Sequence, residues 1–431
     1  MKQINVILIG AGGRGTGYSK IMHGLGGKFR IVGVAEPLEK RRQHIQQLWE
    51  LDDSVCVANW QDLLAMPKMA DLAIVATMDD MHRDPALAAI EKGYHLLLEK
   101  PVAQTPEECA EIALAAREKG VHVLVCHVLR YNYYFKTLKK LLMDGVVGEI
   151  MSIDHVEAVG NVHQSHSYVR GNWHSEKETT PMLLAKSCHD IDMLQWLLGK
   201  PCRRVQSFGS LTYFTEKNAP AGAPARCTDG CPVGDTCPYN AVTVYGDPTK
   251  RLYFRNACAK GIAKGEQATN EEIMESLRTT NYGRCVFRSD NDVVDHQIVN
   301  MEFEGGTTVA FTMNAFNQGG RHTRVYGTRG EIYKNMGEDS FTLFDFETRE
   351  KTVIPFTKRE ESIAGGHGGG DEGIVIELYD YLCGTYNGFS AADITISVKN
   401  HLVTFAAEES RRTGAVVSVD EYFSRFGFEN D

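Results

Sequence analysis

The sequence predicts an α/β protein with an N-terminal doubly wound parallel sheet and a C-terminal α+β domain built on a large, mainly antiparallel open sheet. Short apolar runs alternate with helical patterns from residue 4 to about residue 127, as in parallel strands joined by crossover helices. After residue 130, apolar and polar residues alternate along several segments, as in an antiparallel sheet with one covered face. We therefore expect domains at residues 1–128 and 129–431.

The N-terminal part shows six strand patterns, and prolines and glycines mark the ends of the helices between them. In a doubly wound sheet the ligand crevice lies at the carboxyl ends of the strands. Gly10, Glu36, Thr77, Glu99 and His127 lie at or just after such ends, so we expect one crevice to collect them. The predicted strands are residues 4–9, 31–35, 55–57, 71–77, 95–99 and 121–126, and the predicted helices after the first are 38–50, 85–93 and 106–120.

The C-terminal part mixes helices with alternating strands. Residues 215–285 are rich in proline, glycine and cysteine and then polar, which indicates an insertion, and residues 365–370 predict a flexible turn. A large open sheet often forms a subunit interface, so we expect a homo-oligomer. The predicted strands are 149–159, 204–213, 293–303, 307–314, 324–326 and 340–346, and the predicted helices are 135–144, 181–198, 372–383 and 392–412.

Composition limits the classes of partner. The chain has 431 residues and a formal net charge of −10, and this charge argues against a nucleic-acid or anionic-membrane partner, since both need a basic face. No apolar run approaches the roughly 18 residues of a membrane helix, and we see no secretory signal. Eleven scattered cysteines fit reduced thiols in a cytoplasmic protein better than a disulfide framework.

A glycine-rich motif, Gly-Ala-Gly-Gly-Arg-Gly, follows the first strand at residues 10–15. In this context Gly10 permits a tight turn, Gly12 lets the backbone approach a pyrophosphate, and Gly15 lets the next helix pack closely on the strand. The helix N-terminus then faces the phosphates. The motif predicts a dinucleotide site, and the alternative is a purely structural glycine turn.

A carboxylate at the end of the second strand supports the dinucleotide prediction. Glu36 follows Gly10 at a spacing close to the roughly 20 residues expected for the group that binds the adenosine ribose 2′-hydroxyl. Glu36 would repel a 2′-phosphate, although Arg41 and Arg42 follow on the next helix. NAD is therefore expected rather than NADP.

The string Leu98-Glu99-Lys100-Pro101 ends the fifth strand. A lysine held there beside a nicotinamide can polarise a substrate hydroxyl or donate a proton to it, and burial lowers the pKa of such a lysine. The alternative is an ordinary surface lysine.

Together with Thr77, His82 and the later string Cys188-His189-Asp190-Ile191-Asp192, these motifs resemble the glucose-fructose oxidoreductase, inositol dehydrogenase and MocA (Gfo/Idh/MocA) family. The resemblance implies a Rossmann domain, a bound nicotinamide dinucleotide, and hydride transfer at a carbon of a sugar, cyclitol or similar polyol. Lys100 and His189 would then flank the reacting carbinol. The implied cofactor contacts are Gly10, Gly12, Gly13, Arg14, Gly15, Glu36, Thr77, His82, Glu99 and Lys100.

The sequence departs from this family at one catalytic position. Family dehydrogenases commonly have an aspartate four residues before the histidine, and here that residue is Ala185. Lys186 follows, on roughly the same helix face as His189. Lys186 could hold a substrate carboxylate, sulfate or hydroxyl, or act as the acid or base itself, and the alternative is a solvated lysine. The expected catalytic residues are therefore Lys100, His189 and Lys186.

Two further segments offer substrate contacts. His127, Arg130 and Tyr131 follow the sixth strand, and an arginine can grip an anion with two hydrogen bonds. His367 and Asp371 flank three glycines in a loop that resembles one in NAD-dependent glycosidases of the same family. Those enzymes oxidise a sugar carbon, eliminate the substituent and return the hydride. Besides a dehydrogenase, the sequence therefore leaves open such a glycosidase or a non-catalytic dinucleotide sensor.

Cysteines in the insertion raise the question of a metal. Cys227, Cys231 and Cys237, with Cys258 as a possible fourth ligand, have a spacing loosely compatible with zinc or an iron-sulfur cluster. Thiolate sites normally contain closer pairs, so free thiols in a loop are the alternative. Four cysteine ligands would make the site structural, because no position stays open for substrate.

Overall fold

The computed structural model describes residues 2–263, 267–334, 339–356 and 366–431. The first 125 residues form a six-stranded sheet of parallel strands in the order β3-β2-β1-β4-β5-β6. The predicted doubly wound parallel sheet is confirmed, and the order reverses between β1 and β4, where this fold binds its ligand. The strands are β1 Ile4–Ile9, β2 Phe29–Ala35, β3 Cys56–Val57, β4 Leu72–Val75, β5 His95–Leu98 and β6 Val123–Val125.

Helices cover both faces of this sheet, which explains why β1, β4 and β5 are nearly continuous apolar runs. α5 starts with a capping box, in which Thr105 and Glu108 bond each other's backbone N–H groups, and Pro106 occupies its first turn. The helices are α1 Gly13–Gly24, α2 Glu39–Trp49, α3 Trp60–Ala65, α4 Arg83–Glu91 and α5 Pro106–Lys119.

The C-terminal part contains a nine-stranded sheet in the order β14-β13-β12-β11-β7-β10-β9-β8-β15, in which only the β7–β10 pair is parallel. This confirms the large, mainly antiparallel sheet. β12, β14 and β15 were not predicted, because β15 has only two residues and the short strands β12 and β14 lack a regular alternation of apolar and polar residues. The strands are β7 Ile150–Ala158, β8 Cys202–Ser210, β9 His296–Phe303, β10 Thr308–Asn314, β11 Gly320–Gly327, β12 Gly330–Lys334, β13 Ser340–Asp345, β14 Lys351–Pro355 and β15 Val417–Ser418.

One face of this sheet is covered and the other is open. In β9, Val299 and Met301 are buried, whereas Ile298 between Gln297 and Val299 is 39% exposed. Two long helices, α8 and α13, pack against each other, and α13 lies on β8. The C-terminal helices are α6 Tyr133–Met143, α7 Asn161–His163, α8 Met182–Leu198, α9 Ala241–Gly246, α10 Leu252–Cys258, α11 Asn270–Thr279, α12 Gly370–Leu382, α13 Ile394–Thr413 and α14 Val419–Ser424.

The structure shows more helix than the sequence predicted. The insertion contains α9, α10 and α11 around a small core that includes Tyr245, Ile273 and Leu277. The histidine-rich stretch after β7 forms α7 and then a buried π-helical segment, Gln164–Val169. Part of the predicted glycine turn at residues 365–370 lies outside the described residues. No helix in the described ranges is both long and apolar enough to cross a membrane.

Late segments of the chain pack against the N-terminal sheet. In α12, Ile374, Val375 and Leu378 belong to the same hydrophobic core as Val6 and Leu8 of β1. At the sheet edge, the N–H of Val125 in β6 donates to the carbonyl of Ala392, just before α13. The division of the chain at residue 128 therefore stays a prediction, because late segments complete the N-terminal sheet.

Candidate active site

The glycine-rich turn leaves open space where a phosphate is expected. Gly10 has φ +88°, and a Cβ there would lie 2.5 Å from the carbonyl oxygen of Ala76. A Cβ on Gly15 would lie 2.0 Å from the carbonyl oxygen of Gly10, so only glycine fits at either position. Around Gly12, in contrast, a Cβ would meet no described atom within 4 Å, and no side chain caps the N-terminus of α1. These free N–H groups suit an anion.

Glu36 lies at the end of β2 and is 4% exposed. Its Oε2 accepts a 2.7 Å hydrogen bond from the N–H of Ala11 and its Oε1 accepts one of 3.0 Å from Leu38. Nη1 of Arg41 lies 3.9 Å from Oε1. The carboxylate is therefore held against the glycine turn, and each oxygen keeps acceptor capacity for a ribose hydroxyl.

Arg14 links the glycine turn to two distant carboxylates. Its Nε donates to Oε1 of Glu99 at 2.7 Å, and its Nη2 donates to Oδ1 of Asp371 at 2.8 Å. The hydroxyl of Tyr18 also donates to Oε1 of Glu99 at 2.7 Å. Burial alone would raise the pKa of Glu99, but the charges of Arg14 and Lys100 outweigh it and lower that pKa. Through Arg14, Glu99 and Asp371 thus hold the glycine-rich turn in place.

Lys100 follows Glu99 directly and reaches the C-terminal domain. Its Nζ donates a 2.8 Å hydrogen bond to the carbonyl of Ala185 in α8. The Lys100-Pro101 peptide bond is cis. The hydrogen bond to Ala185 places the predicted catalytic lysine beside α8, and His189 lies one helical turn further along the same helix.

His82 and Thr77 support this turn. The His82 ring nitrogens lie 2.6 Å from the carbonyl of Pro101 and 3.3 Å from that of Thr77. The hydroxyl of Thr77 donates to the carbonyl of Met81 at 3.0 Å. The ring is 1% exposed and lies between two carbonyl oxygens, so His82 supports the strand ends, and the expected cofactor contacts of His82 and Thr77 stay predictions.

His189 occupies the floor of the crevice. It is 7% exposed, and its Nδ1 has no hydrogen-bond partner among the described atoms. Burial, together with the charge of Lys100, lowers the pKa of His189 well below its usual value. The ring centroid of His367 lies 6.2 Å away. His189 is therefore a neutral imidazole with a free nitrogen.

Lys186 is held in a charged network and is not a solvated lysine. Its Nζ lies 3.2 Å from Oε1 of Glu157 in β7, and the side chain is 16% exposed. Burial lowers the pKa of Lys186, and the charge of Glu157 opposes this shift. Arg321 of β11 contacts both Glu157, at 2.7 Å, and Asp190, at 2.6 Å.

Sequence reasoning missed Glu157, Arg321, Asp190 and His155 as members of this network. His155 Nε2 lies 3.0 Å from Oδ1 of Asp190. A signal was present in β7, where His155 and Glu157 alternate in phase with the buried Ile153. Two ionisable residues on the covered face of a strand indicate partners on the opposite layer.

Three of the expected substrate contacts are buried. Arg130 donates two hydrogen bonds of 2.8 Å to the carboxylate of Asp192 and is 3% exposed. The pair of guanidinium donors that could bind a substrate anion is therefore already used. Tyr131 packs in the core beneath α12, and a Cβ on Gly373 would lie 2.8 Å from its Cβ. His127 is fully buried, with its ring 6.2 Å from that of His189. We therefore correct the expectation for Arg130 and Tyr131, whereas substrate contact by His127, which lies beside His189, stays a prediction.

The remaining two expected contacts lie at the crevice. Nδ1 of His367 is 3.1 Å from Oδ1 of Asp371, and the His367 side chain is 40% exposed. Burial would raise the pKa of Asp371, but hydrogen bonds from His367 and Arg14 hold it well below the usual range. Asp371 therefore belongs with the glycine turn, and His367 is the accessible member of the pair.

The cysteines of the insertion do not form a metal centre in the described ranges. Cys227, Cys231, Cys237 and Cys285 line a small apolar cavity of about 20 Å³. Cys258 is not part of its lining, and its Sγ bonds the carbonyl of Arg255 at 3.2 Å. No group of three or more histidine, cysteine or acidic side chains within the described residues is arranged to hold a metal ion.

Two family models match this chain. One, the oxidoreductase family with an NAD-binding Rossmann fold, covers residues 4–127. The other, the C-terminal alpha/beta domain of the same oxidoreductase family, covers residues 139–419. The chain belongs to the Gfo/Idh/MocA family. The resemblance inferred from the fingerprint and the Glu-Lys-Pro string is thereby confirmed, and the N-terminal part is an NAD(P)-binding Rossmann domain.

Several Gfo/Idh/MocA relatives carry names that indicate sugar chemistry. The Escherichia coli (strain K12) 2,7-anhydro-N-acetylneuraminate hydratase is 31% identical over 148 residues, which are 34% of this chain and 39% of that protein. Inositol 2-dehydrogenase of Serratia proteamaculans (strain 568) is 29% identical over 226 residues, 51% of this chain and 60% of that protein.

A solved structure of the family matches over nearly the whole length. Levoglucosan dehydrogenase, in complex with NADH and L-sorbose, superposes with a TM-score of 0.70 at 17% identity and covers 97% of this chain and 99% of that one. At 17% identity, this similarity shows a shared fold and nothing further about function.

Proposed function

We propose that the protein is an NAD-dependent oxidoreductase that transfers hydride between a nicotinamide cofactor and a hydroxyl-bearing carbon of a sugar, cyclitol or sugar derivative. The observation that carries this proposal is the contact between Lys100 Nζ and the carbonyl of Ala185, at 2.8 Å. It holds an ammonium group at the end of β5, beside the helix that presents the neutral His189. An acid and a base thus meet at the carboxyl edge of the nucleotide sheet, where this fold binds its ligand.

The described residues fit a dinucleotide. The open space at Gly12 and the uncapped start of α1 suit the pyrophosphate, and Glu36 suits the hydroxyls of the adenosine ribose. The negative charge of Glu36 favours NAD over NADP. When bound, the nicotinamide ring supplies a hydride acceptor or donor at the reacting carbon.

The side chains around that carbon handle the proton. The ammonium group of Lys100 hydrogen-bonds the substrate oxygen and stabilises negative charge on it. The neutral ring of His189 accepts a hydrogen bond or the proton from the same hydroxyl. Lys186, held by Glu157, supplies a second cation that orients a neighbouring oxygen of the substrate.

Native mass spectrometry of the purified protein tests the cofactor first, because it shows which dinucleotide is retained and in which redox form. NADH formation at 340 nm is then followed with inositol, levoglucosan and other polyols. Steady formation of NADH with at least one of them supports the dehydrogenase. NAD retention with no turnover of any sugar favours the dinucleotide sensor.

A redox-neutral reaction is the second candidate. The hydratase name of the Escherichia coli relative describes addition of water, which causes no net oxidation. Two sequence features also favour a redox-neutral reaction. The loop at His367 resembles that of NAD-dependent glycosidases, and Ala185 replaces the aspartate of the family's proton relay. In this reaction a glycoside or anhydrosugar is converted without net NADH, and solvent deuterium enters the carbon beside the oxidised one.

We also expect a homo-oligomer that uses the open face of the nine-stranded sheet. Phe208 of β8 is 52% exposed and Met151 of β7 is 48% exposed on the C-terminal sheet. Apolar side chains of this size are covered in most stable assemblies. We further expect a cytoplasmic location.

A further inference from the structure

The charged network of Lys186 closes on itself beside His189. Nζ of Lys186 lies 3.2 Å from Oε1 of Glu157, and Nε of Arg321 lies 2.7 Å from Oε2 of the same carboxylate. Nε of Arg321 also donates to Oδ1 of Asp190 at 2.6 Å. Asp190 stands one helical turn after Lys186 on α8. Side chains of α8, β7 and β11 thus meet at the helical turn that carries His189.

Of the four members of this network, the cations are the ones that reach water. The side chains of Lys186 and Arg321 are 16% and 21% exposed, whereas those of Glu157 and Asp190 are 3% and 0% exposed. Behind the carboxylates, Nε2 of His155 lies 3.0 Å from Oδ1 of Asp190. A ligand that approaches the network therefore meets positive charge, and the carboxylates lie beneath it as fixed partners.

Both cations keep hydrogen-bond donors for a ligand. An ammonium group has three N–H donors, and one carboxylate oxygen lies beside Nζ of Lys186. Arg321 uses Nε and Nη2 on Asp190, at 2.6 and 3.3 Å, while its Nη1 makes no hydrogen bond to a described residue. Arg130 differs from Arg321 in being 3% exposed, so a ligand does not reach its guanidinium.

The network borders the reaction site proposed above. The carbonyl of Ala185, which precedes Lys186, accepts the 2.8 Å hydrogen bond from Nζ of Lys100. Lys186 and His189 are three residues apart on α8, so their Cβ atoms lie about 5–6 Å apart on one face of the helix. Burial first, and then charges that include those of Lys100 and Arg321, lower the pKa of His189, which agrees with this placement. A substrate that brings a hydroxyl to His189 therefore has its neighbouring atoms beside Lys186 and Arg321.

The charges at this site do not balance without a ligand. With the histidines neutral, there is one positive charge in excess, because three cations face two carboxylates: Lys100, Lys186 and Arg321 against Glu157 and Asp190. The other carboxylate next to Lys100, that of Glu99, is paired with Arg14. A substrate that fills the crevice removes water from the excess charge, and this is costly unless an anion pairs with it. One substrate carboxylate would balance the charge, whereas a phosphate ester would leave an excess of negative charge.

We propose that Lys186 and Arg321 bind a carboxylate group of the substrate, and that the substrate is therefore a sugar acid and not a neutral sugar or cyclitol. This inference rests on the proposed function and narrows its substrate class. Hydrogen bonds from guanidinium and ammonium groups to a carboxylate are short and strong, and a guanidinium also fixes the orientation of its partner. Lys100 and His189 then handle the hydroxyl that reacts, while the buried carboxylates of the network position the two cations.

Calorimetric titration of the protein with bound NADH tests the inference, because NADH cannot accept a hydride from the sugar. The probes are glucuronate, galacturonate and N-acetylneuraminate, each compared with its own methyl ester, which keeps the sugar and removes the charge. We expect the best-bound acid to bind about 10- to 100-fold more tightly than its ester, as hydrogen bonds to a charged group allow. Glucose 6-phosphate is the dianionic probe and should bind more weakly than glucuronate.

Lys186→Met removes one of the two cations. We expect the Kd for the best-bound acid to rise about tenfold, while the Kd values for its ester and for NADH stay within about twofold. Lys186→Arg keeps the charge and should keep most of the preference for the acid. Lys200→Met is the matched control, because Lys200 lies just after α8 and its Nζ is 3.8 Å from Oε1 of Glu149. It should bind the acid as the unaltered protein does.

Equal affinity for each acid and its ester, or no binding of any acid, would overturn the inference. So would tighter binding of glucose 6-phosphate than of glucuronate, or a Lys186→Met variant that binds NADH normally and keeps the full preference. The proposed function fails separately, if the unaltered protein retains no dinucleotide or converts neither neutral nor acidic sugars. A protein that converts neutral sugars without preferring acids contradicts the inference alone.

Discussion

The Nζ atom of Lys100 donates a 2.8 Å hydrogen bond to the backbone carbonyl of Ala185. The acceptor is a peptide oxygen, and the side chain at position 185 is a methyl group that carries no charge. The lysine keeps its position without a charged partner in α8. Its positive charge is thereby available to a substrate oxygen.

Replacing Lys100 with methionine should reduce kcat by about 100-fold or more, because a positioned acid or base contributes roughly 10²- to 10⁴-fold. The Kd for NAD should change little, since Arg14, Glu36 and the glycine turn remain. Steady-state turnover and calorimetric titration with NAD measure the two quantities. Lys119→Met, which removes a surface lysine paired with Glu91, is the control and should leave both unchanged.

The cofactor preference should depend on Glu36. Glu36→Ser removes the charge that repels a 2′-phosphate while Arg41 and Arg42 remain nearby. We expect the ratio of the Kd for NADP to the Kd for NAD to fall about tenfold or more, as measured by fluorescence titration. Glu39→Ser changes an exposed carboxylate in the first turn of α2 and should leave the ratio unchanged. An unaltered ratio in Glu36→Ser would show that another group discriminates between the cofactors.

Arg130→Met should lower stability and should not raise KM. Its removal leaves the buried carboxylate of Asp192 without its main partner, which costs about 3–5 kcal/mol of unfolding free energy. Urea denaturation at neutral pH measures the loss. The double variant Arg130→Met/Asp192→Leu should recover part of it, because no unpaired charge remains. A rise in KM at unchanged stability would instead restore Arg130 as a substrate contact.

The free energy of unfolding should fall as the pH drops from about 6.5 to about 4. Burial lowers the pKa of His127 from 6.5 to about 4, so in this window the unfolded chain binds a proton that the folded protein does not. Stability therefore rises with pH across the window, by about 1.4 kcal/mol per pH unit for each such histidine. Burial also lowers the pKa of His401, to about 3.

Urea denaturation at a series of pH values checks this prediction. His127→Gln removes one of the titrating groups, so its stability should depend less steeply on pH by about the contribution of one proton. The same slope in the variant and the unaltered protein would contradict the burial of a neutral His127.

Local sequence signals predicted the nucleotide side of the site. The positive φ of Gly10 and the contact of Gly15 with the Gly10 carbonyl are local features of the turn, and an apolar run followed by Glu36 marks one strand end. Lys100 was found in the same way, because a strand end in a parallel sheet faces the crevice wherever the rest of the chain lies.

The substrate side depends on contacts between distant segments, which the sequence does not display. Arg130 has the same local pattern as a substrate-binding arginine, and only its contact with Asp192 on α8 shows that the guanidinium is already paired. Likewise, only the position of Glu157 in β7 shows that Lys186 forms an ion pair and is not a solvated lysine. The helices of the insertion were hidden by its many prolines and glycines, although Thr269 and Glu272 form a capping box that marks α11.

The edge contact between Val125 and Ala392 has a consequence for synthesis of the protein. While the ribosome is still adding the second half of the chain, β6 pairs only with β5, and the apolar surface that α12 later covers is open to water. The partner of Arg14 at Asp371 is also made late. The nascent Rossmann sheet therefore exposes apolar surface and an incompletely paired strand, features that favour aggregation, until the segment containing α12 and Ala392 has been made.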